Sequence, residues 1–100
     1  MDLYRPLQAG SLRLSGNLFL APVAGYSDRA FRSICISAGA DFTCTELISS
    51  EALVRDSEKT VQLLLRAENE SQYAIQLFGS DPEIMAAAAT RLASYGPAAV

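Results

Sequence analysis

One hundred residues, half of them apolar and 19% charged, can bury a modest core and are too apolar for an intrinsically disordered chain. Eight Lys and Arg against 11 Asp and Glu give a net charge of −3, without the basic excess used to grip a nucleic-acid backbone. The absence of histidine removes imidazole acid–base catalysis and histidine-ligated metal sites, and no apolar run approaches the roughly 18–20 residues that cross a bilayer.

In chain order the elements alternate between strand and helix. Residues 11–14 and 17–20 flank the turn signal Ser15-Gly16, so a short N-terminal hairpin is predicted. Its second arm runs into Ala21-Pro22-Val23-Ala24-Gly25, where Pro22, which cannot donate to a ladder, ends the strand. Ser27 or Asp28 then caps a helix with Phe31, Ile34, Cys35 and Ala38 at i, i+3, i+4 and i+7. Gly39 closes it in a left-handed conformation. Residues 41–46 form a β-branched and aromatic strand ending in the carboxylate of Glu46.

Ser49 or Ser50 opens a short helical turn through Val54, and Ser57 caps a second helix carrying Val61, Leu64 and Leu65. Residues 66–71 read as a polar surface loop, with Asp56, Glu58 and Lys59 as solvated surface. Residues 72–79 form a nearly continuous apolar strand, as expected when both faces are buried. Asp81-Pro82-Glu83 combines a cap, a proline at N1 and an acid facing the helix dipole. Ile84, Ala88, Leu92 and Tyr95 line one face of that helix, Gly96-Pro97 ends it, and residues 98–100 begin another strand.

Strand ends near residues 22, 46 and 78, each followed by a helix, make βα units whose strands pair in parallel through right-handed crossovers. A doubly wound sheet and a (β/α)₈ barrel share that pattern. No G-x-G-x-x-G follows the first strand and no phosphate-binding G-x-x-x-x-G-K-[ST] occurs, so nucleotide-binding doubly wound sheets lose support. The expected fold class is α/β, a partial (β/α)₈ TIM barrel. Residues 1–100 would supply its hairpin, its first three βα units and the start of strand 4. A complete barrel needs about 250 residues, so a 100-residue piece with open sheet edges is expected not to be stable alone.

Barrel chemistry gathers at the C-terminal ends of strands. Three places qualify. The small residues of Ala21-Pro22-Val23-Ala24-Gly25 let a flat ligand approach free backbone groups, or simply end the strand in a tight turn. Gln76, an amide in an apolar run, must find hydrogen-bond partners or cost about 1–3 kcal/mol. A heteroaromatic ligand, neighbouring backbone or water would each satisfy it. Glu46 would orient a substrate, pair with an Arg or cap the next turn. Tyr26 and Arg29, just past the first strand end, suit either base stacking and phosphate contact or plain surface. Cys35 and Cys44 lie among apolar or small residues and read as buried free thiols rather than a metal motif. Residues 1–6 lack the basic start and apolar core of a signal peptide, which makes a reducing cytoplasm the simplest compartment.

Read together, these segments resemble one family. Leu20-Ala21-Pro22-Val23-Ala24-Gly25-Tyr26-Ser27-Asp28-Arg29-Ala30-Phe31-Arg32 is similar to the opening motif of the tRNA-dihydrouridine synthases, commonly L-A-P-M-A-G-V-T-D-x-x-F-R. Gly39-Ala40-Asp41 with Thr45-Glu46-Leu47 resembles a second block, and Ile75-Gln76-Leu77-Phe78-Gly79-Ser80 a third. Val23 stands where Met is usual, and Tyr26-Ser27 where Val-Thr is.

The resemblance implies an oxidoreductase with FMN at the mouth of a TIM barrel. Such an enzyme reduces the C5–C6 bond of flipped-out uridines in tRNA at the expense of NADPH. It further implies that Pro22, Val23 and Ala24 contact FMN, largely through backbone, and that Gln76 hydrogen-bonds its ring. The family's proton-donating cysteine lies in an N-x-G-C-P-type motif expected just beyond Val100. No catalytic residue is therefore assigned within residues 1–100, and the piece alone is expected to be inactive. The helical tRNA-binding domain is expected outside it as well. Two other readings stay open. One is an FMN-dependent barrel acting on a free pyrimidine, as dihydroorotate dehydrogenases do, and the other a non-catalytic half-barrel.

Overall fold

The computed structural model describes residues 3–100, so Met1 and Asp2 of the signal-peptide reading lie outside the described residues. The chain is α/β, with strands β1 (Leu7–Ala9), β2 (Leu12–Leu14), β3 (Thr43–Cys44), β4 (Ile48–Ser49), β5 (Tyr73–Ala74) and β6 (Leu77–Phe78). Its helices are α1 (Arg29–Ser37), α2 (Ser50–Val54), α3 (Glu58–Leu64) and α4 (Pro82–Leu92), the last running into a 3₁₀ turn at Ala93–Tyr95. No helix of the described residues is long and apolar enough to cross a membrane.

The N-terminal hairpin exists, one turn earlier than the sequence suggests. β1 and β2 pair antiparallel with Ala9 opposite Leu12, so the turn is Gly10-Ser11. Gly10 sits at φ +59°, the left-handed geometry that a two-residue hairpin turn demands at its first position. Ser15-Gly16 is instead the crossing from hairpin to the next strand. The Asp41 carboxylate accepts from the Tyr4 hydroxyl (2.7 Å) and the Leu18 N–H (3.0 Å), and a Cβ on Gly16 would run into both Asp41 and Tyr4.

Residues 18–20 pair in parallel with the next strand. Asp41 N–H donates to Leu18 C=O at 2.8 Å, Leu20 N–H to Phe42 C=O at 2.9 Å, and Phe19 bridges Phe42. β3 pairs in parallel with β5 and β4 with β6, and Ala74 bridges Ala99. Four extended segments thus lie side by side in chain order, each pair linked through helix. The strand expected over 41–46 holds one ladder, β3 with β5, and a second, β4 with β6, forms beyond its expected end, so that 72–79 pairs at Tyr73–Ala74 and again at Leu77–Phe78. Between the ladders, Thr45 N–H reaches Ala74 C=O, Gln76 N–H reaches Thr45 Oγ1 and Ile48 N–H reaches Gln76 C=O.

Most of the helix signals hold, although α3 ends at Leu64 and leaves Leu65, expected within it, extended. Asp28, not Ser27, caps α1 by accepting from Phe31 N–H at 2.8 Å. At its end Ala40 N–H bonds Cys35 C=O and Gly39 N–H bonds Ile36 C=O, a Schellman closure with Gly39 at φ +114°. Ser49 caps α2, Asp81 caps α4 with Pro82 at N1, and Ser57 occupies the cap position of α3 without a side-chain cap bond.

Burial corrects one face. The apolar stripe expected to bury α1 does not, since Phe31 is 40% and Ile34 67% exposed, while Arg32 is fully buried. The core lies on the helix side of the strands: Ile48, Leu53, Leu64, Tyr73, Ile75, Ala88 and Leu92. Arg91, at the end of α4, donates to Leu53 C=O (3.2 Å) and to the Asp56 carboxylate, which ties α4 across the end of α2.

Leu92 is sealed in this core, so Leu92→Ala is expected to lower unfolding free energy by about 2–5 kcal/mol in the protein. Urea denaturation measures it. A loss under about 1 kcal/mol would mean that α4 does not pack as described.

Candidate functional site

The segment after the first strand is built on its own hydrogen bonds. Val23 N–H donates to Ser27 Oγ, and the Ser27 hydroxyl donates back to Val23 C=O, both at 2.9 Å. Tyr26 and Ser27 N–H groups close on the same carbonyl. The backbone of Val23 is therefore committed internally, which corrects the expectation of free groups at that residue. Gly25 turns the chain at φ +82°, and its N–H reaches Glu46 Oε1 at 3.4 Å. Glu46 thus joins the first strand end to the second, and among the described residues it forms no ion pair with an Arg. Pro22 is half-buried, while Val23, Ala24 and Tyr26 are exposed.

Beneath this loop lies a buried ion pair. Arg32 Nε donates to Glu70 Oε2 at 2.9 Å and Nη2 to Oε1 at 3.2 Å, with both side chains out of contact with water. Nη1 donates to Ser27 C=O (3.0 Å) and Nη2 also to Leu65 C=O (2.8 Å). Glu70 also accepts from the Thr43 hydroxyl and from Ala67 N–H at 2.8 Å. Burial pushes the Glu70 carboxyl up, but Arg32, Thr43 and Ala67 outweigh it and hold the group below the ordinary carboxylate range. Glu70 belongs to the stretch expected to be surface loop, and its burial corrects that reading.

The strand faces divide the molecule. Thr43, Thr45, Tyr73 and Ile75 turn toward the helices and are buried. The other face carries Cys44 and Ala74, half-buried, and Gln76, exposed. Phe19, at 52% exposure, packs its ring at a tilt against Phe42, 5.4 Å between centroids, and extends this face to the first strand. Along its upper edge, residues 21–25, Glu46 and Gln76 follow one another at successive strand ends. They are linked by the Gly25–Glu46 contact and by the bond from Gln76 N–H to the Thr45 hydroxyl (3.1 Å).

The other candidates lie elsewhere. Both cysteines are free and half-buried rather than buried, and burial pushes the Cys44 thiol up, so it stays protonated and weakly nucleophilic. Arg29 lines a cleft of about 620 Å³ with Arg66 and Asn69 between α1 and the loop after α3. That cleft includes none of Pro22, Val23, Ala24, Glu46 or Gln76.

Residues 19–100 match the family model described as "Dihydrouridine synthase (Dus)". The chain belongs to the dihydrouridine synthase family. It is 62% identical over 84 residues to a Treponema pallidum protein named "Probable tRNA-dihydrouridine synthase", covering 84% of this chain and 25% of that protein. To the proteins named "tRNA-dihydrouridine synthase B" of Shewanella oneidensis and Escherichia coli K12 it is 39% and 36% identical. In each case 83 residues align, 83% of this chain and 26% of the other. The chain thus spans about a quarter of the length of these curated relatives. No solved structure matches it significantly.

Within this dihydrouridine synthase segment, sequence reasoning missed Ser27 as a loop clamp and Glu70 as a buried partner. Arg32 stood out only as a neighbour of Arg29, and nothing local pairs it with an acid 38 residues away. Removing one partner strands the other's charge, so Arg32→Ala is expected to cost about 3–5 kcal/mol. The folded-state carboxyl of Glu70 lies below its unfolded value, so its contribution is present above the ordinary carboxylate pKa of about 4.3 and is lost as pH falls through the lower folded value. Urea midpoints measured from pH 7 to pH 3 should fall, and Glu70→Gln should remove part of that slope. An identical pH slope in Glu70→Gln would show that the pair does not set acid stability.

Proposed function

We propose that residues 1–100 are the N-terminal part of the flavin-binding (β/α)₈ barrel of a tRNA-dihydrouridine synthase. They would contribute the hairpin, the first three βα units and the start of the fourth strand, and the whole protein would reduce uridine to 5,6-dihydrouridine in tRNA. One observation carries the reading. Segments 21–25, Glu46 and Gln76, which hold the family-like motifs, occupy consecutive C-terminal strand ends, where barrel enzymes place their chemistry. Parallel neighbours in chain order, without the reversal of a doubly wound sheet, support the barrel. The relatives' names favour neither a free-pyrimidine reductase nor a non-catalytic half-barrel.

The residues present fit FMN. Ala24 and Gly25 are small and exposed, so a flat ring can approach the 22–24 backbone, and the Gln76 amide is exposed on the same edge. Bound there, FMN supplies hydride chemistry between NADPH and the C5–C6 double bond of the uridine. The chain's own residues hold and orient. Pro22, Val23 and Ala24 form a rigid wall, Gln76 offers one donor and one acceptor to a heteroaromatic edge, and Glu46 keeps the wall in register through Gly25. A cytoplasmic, tRNA-processing role follows from the same reading.

Gln76→Ala in the full-length protein is expected to weaken FMN retention by about tenfold, from loss of the amide partner. Visible flavin absorbance after gel filtration reads it directly. A protein that purifies without flavin and takes none up would contradict the proposal, and unchanged occupancy in Gln76→Ala would remove Gln76 from the site.

A further inference from the structure

We infer that Ser27 is a positioning residue for the cofactor wall, fixing the backbone of residues 22–25 before any ligand arrives. The inference rests on the flavin reading for what the wall touches, and on bonds within the chain for how the wall is held. Ser27 is fully buried although its neighbours Tyr26 and Asp28 are exposed. Its hydroxyl is used in both directions on one residue, accepting from Val23 N–H and donating to Val23 C=O. That reciprocal pair closes a five-residue loop, residues 23–27, around the exposed Ala24, Gly25 and Tyr26. Without the hydroxyl, Val23 N–H would need a new partner in a site that excludes water from Ser27.

Ser27 is in turn anchored from below. Its carbonyl accepts from Arg32 Nη1, and Arg32 is locked by Glu70. The wall is therefore coupled through three residues to the strand β3, via Thr43 on Glu70. Asp28 completes the arrangement by capping α1 at the next position, so that loop and helix share one rigid junction. The placement of residues 22–25 is set by this junction and by the single contact from Gly25 to Glu46. Ordering a ligand-facing segment in advance saves the cost of ordering it on binding.

The test uses the full-length protein with Ser27→Ala and Ser27→Thr, which keeps the hydroxyl. FMN affinity is measured by flavin fluorescence titration of flavin-stripped protein, and amide hydrogen exchange is measured on the flavin-free form. Ser27→Ala is expected to weaken FMN binding by about tenfold and to speed exchange across residues 23–26, with exchange in the Ile48 and Leu92 segments unchanged. Ser27→Thr is expected to restore both to within about twofold. Unchanged affinity in Ser27→Ala, or a loss that Ser27→Thr shares, overturns the positioning role. Exchange that quickens equally at Ile48 and Leu92 makes Ser27 merely structural and overturns it too. If the unsubstituted protein binds no FMN, the flavin reading fails by itself. The exchange contrast at residues 23–26 then still decides whether Ser27 holds the loop.

Discussion

A guanidinium and a carboxylate that never meet water organise this chain. Taking Arg32 and Glu70 out of solvent costs several kcal/mol per ion, and their mutual attraction offsets that only when their other polar atoms are hydrogen-bonded too. Here they are: Arg32 reaches two backbone carbonyls besides Glu70, and Glu70 takes a hydroxyl and a backbone N–H besides Arg32. No buried side-chain polar atom among the described residues lacks a partner. Such a pair adds little stability beyond what apolar packing would give. It imposes geometry instead, because only one placement of α1, strand β3 and residues 65–70 satisfies all these bonds.

The division of labour between the two strand faces follows. The helix side is dry and carries the core, with the ion pair set at its margin beside Tyr73, whose ring lies 5.9 Å from the Arg32 guanidinium. Burial pushes the Tyr73 hydroxyl up, and it spends its proton on Leu64 C=O at 2.7 Å, closing α3 onto β5. The opposite face keeps polar and small groups at the strand ends. Rigidity on one face permits exposed, unpaired chemistry on the other, which is how a scaffold holds a site whose own residues contribute little packing.

Local signals were legible in the sequence and long-range ones were not. Asp28, Ser49, Asp81-Pro82 and Gly39 state their roles through spacing alone, because caps and left-handed closures are satisfied within a few residues. The parallel order of strands was legible from the alternation of elements. The hairpin was displaced because two glycine turns compete, and the choice falls on Gly10 only once Asp41 and Tyr4 occupy the space beside Gly16. Helix α1 misled because its periodic apolar positions are real, yet the ionic partner of Arg32 comes from Glu70. The placement of the candidate residues Pro22, Val23, Ala24 and Gln76 near strand ends was legible from the motifs. The commitment of the Val23 backbone to Ser27 was not, since a serine hydroxyl has too many local alternatives.

The proposed flavin site is the upper edge formed by residues 21–25, Glu46 and Gln76, and not the arginine-lined cleft beside α1. Hydrogen exchange of the full-length protein with and without FMN separates the two faces. The account predicts added protection at residues 21–26 and 74–78, with residues 66–69 unchanged. Protection confined to residues 29–33 and 66–69 would contradict it.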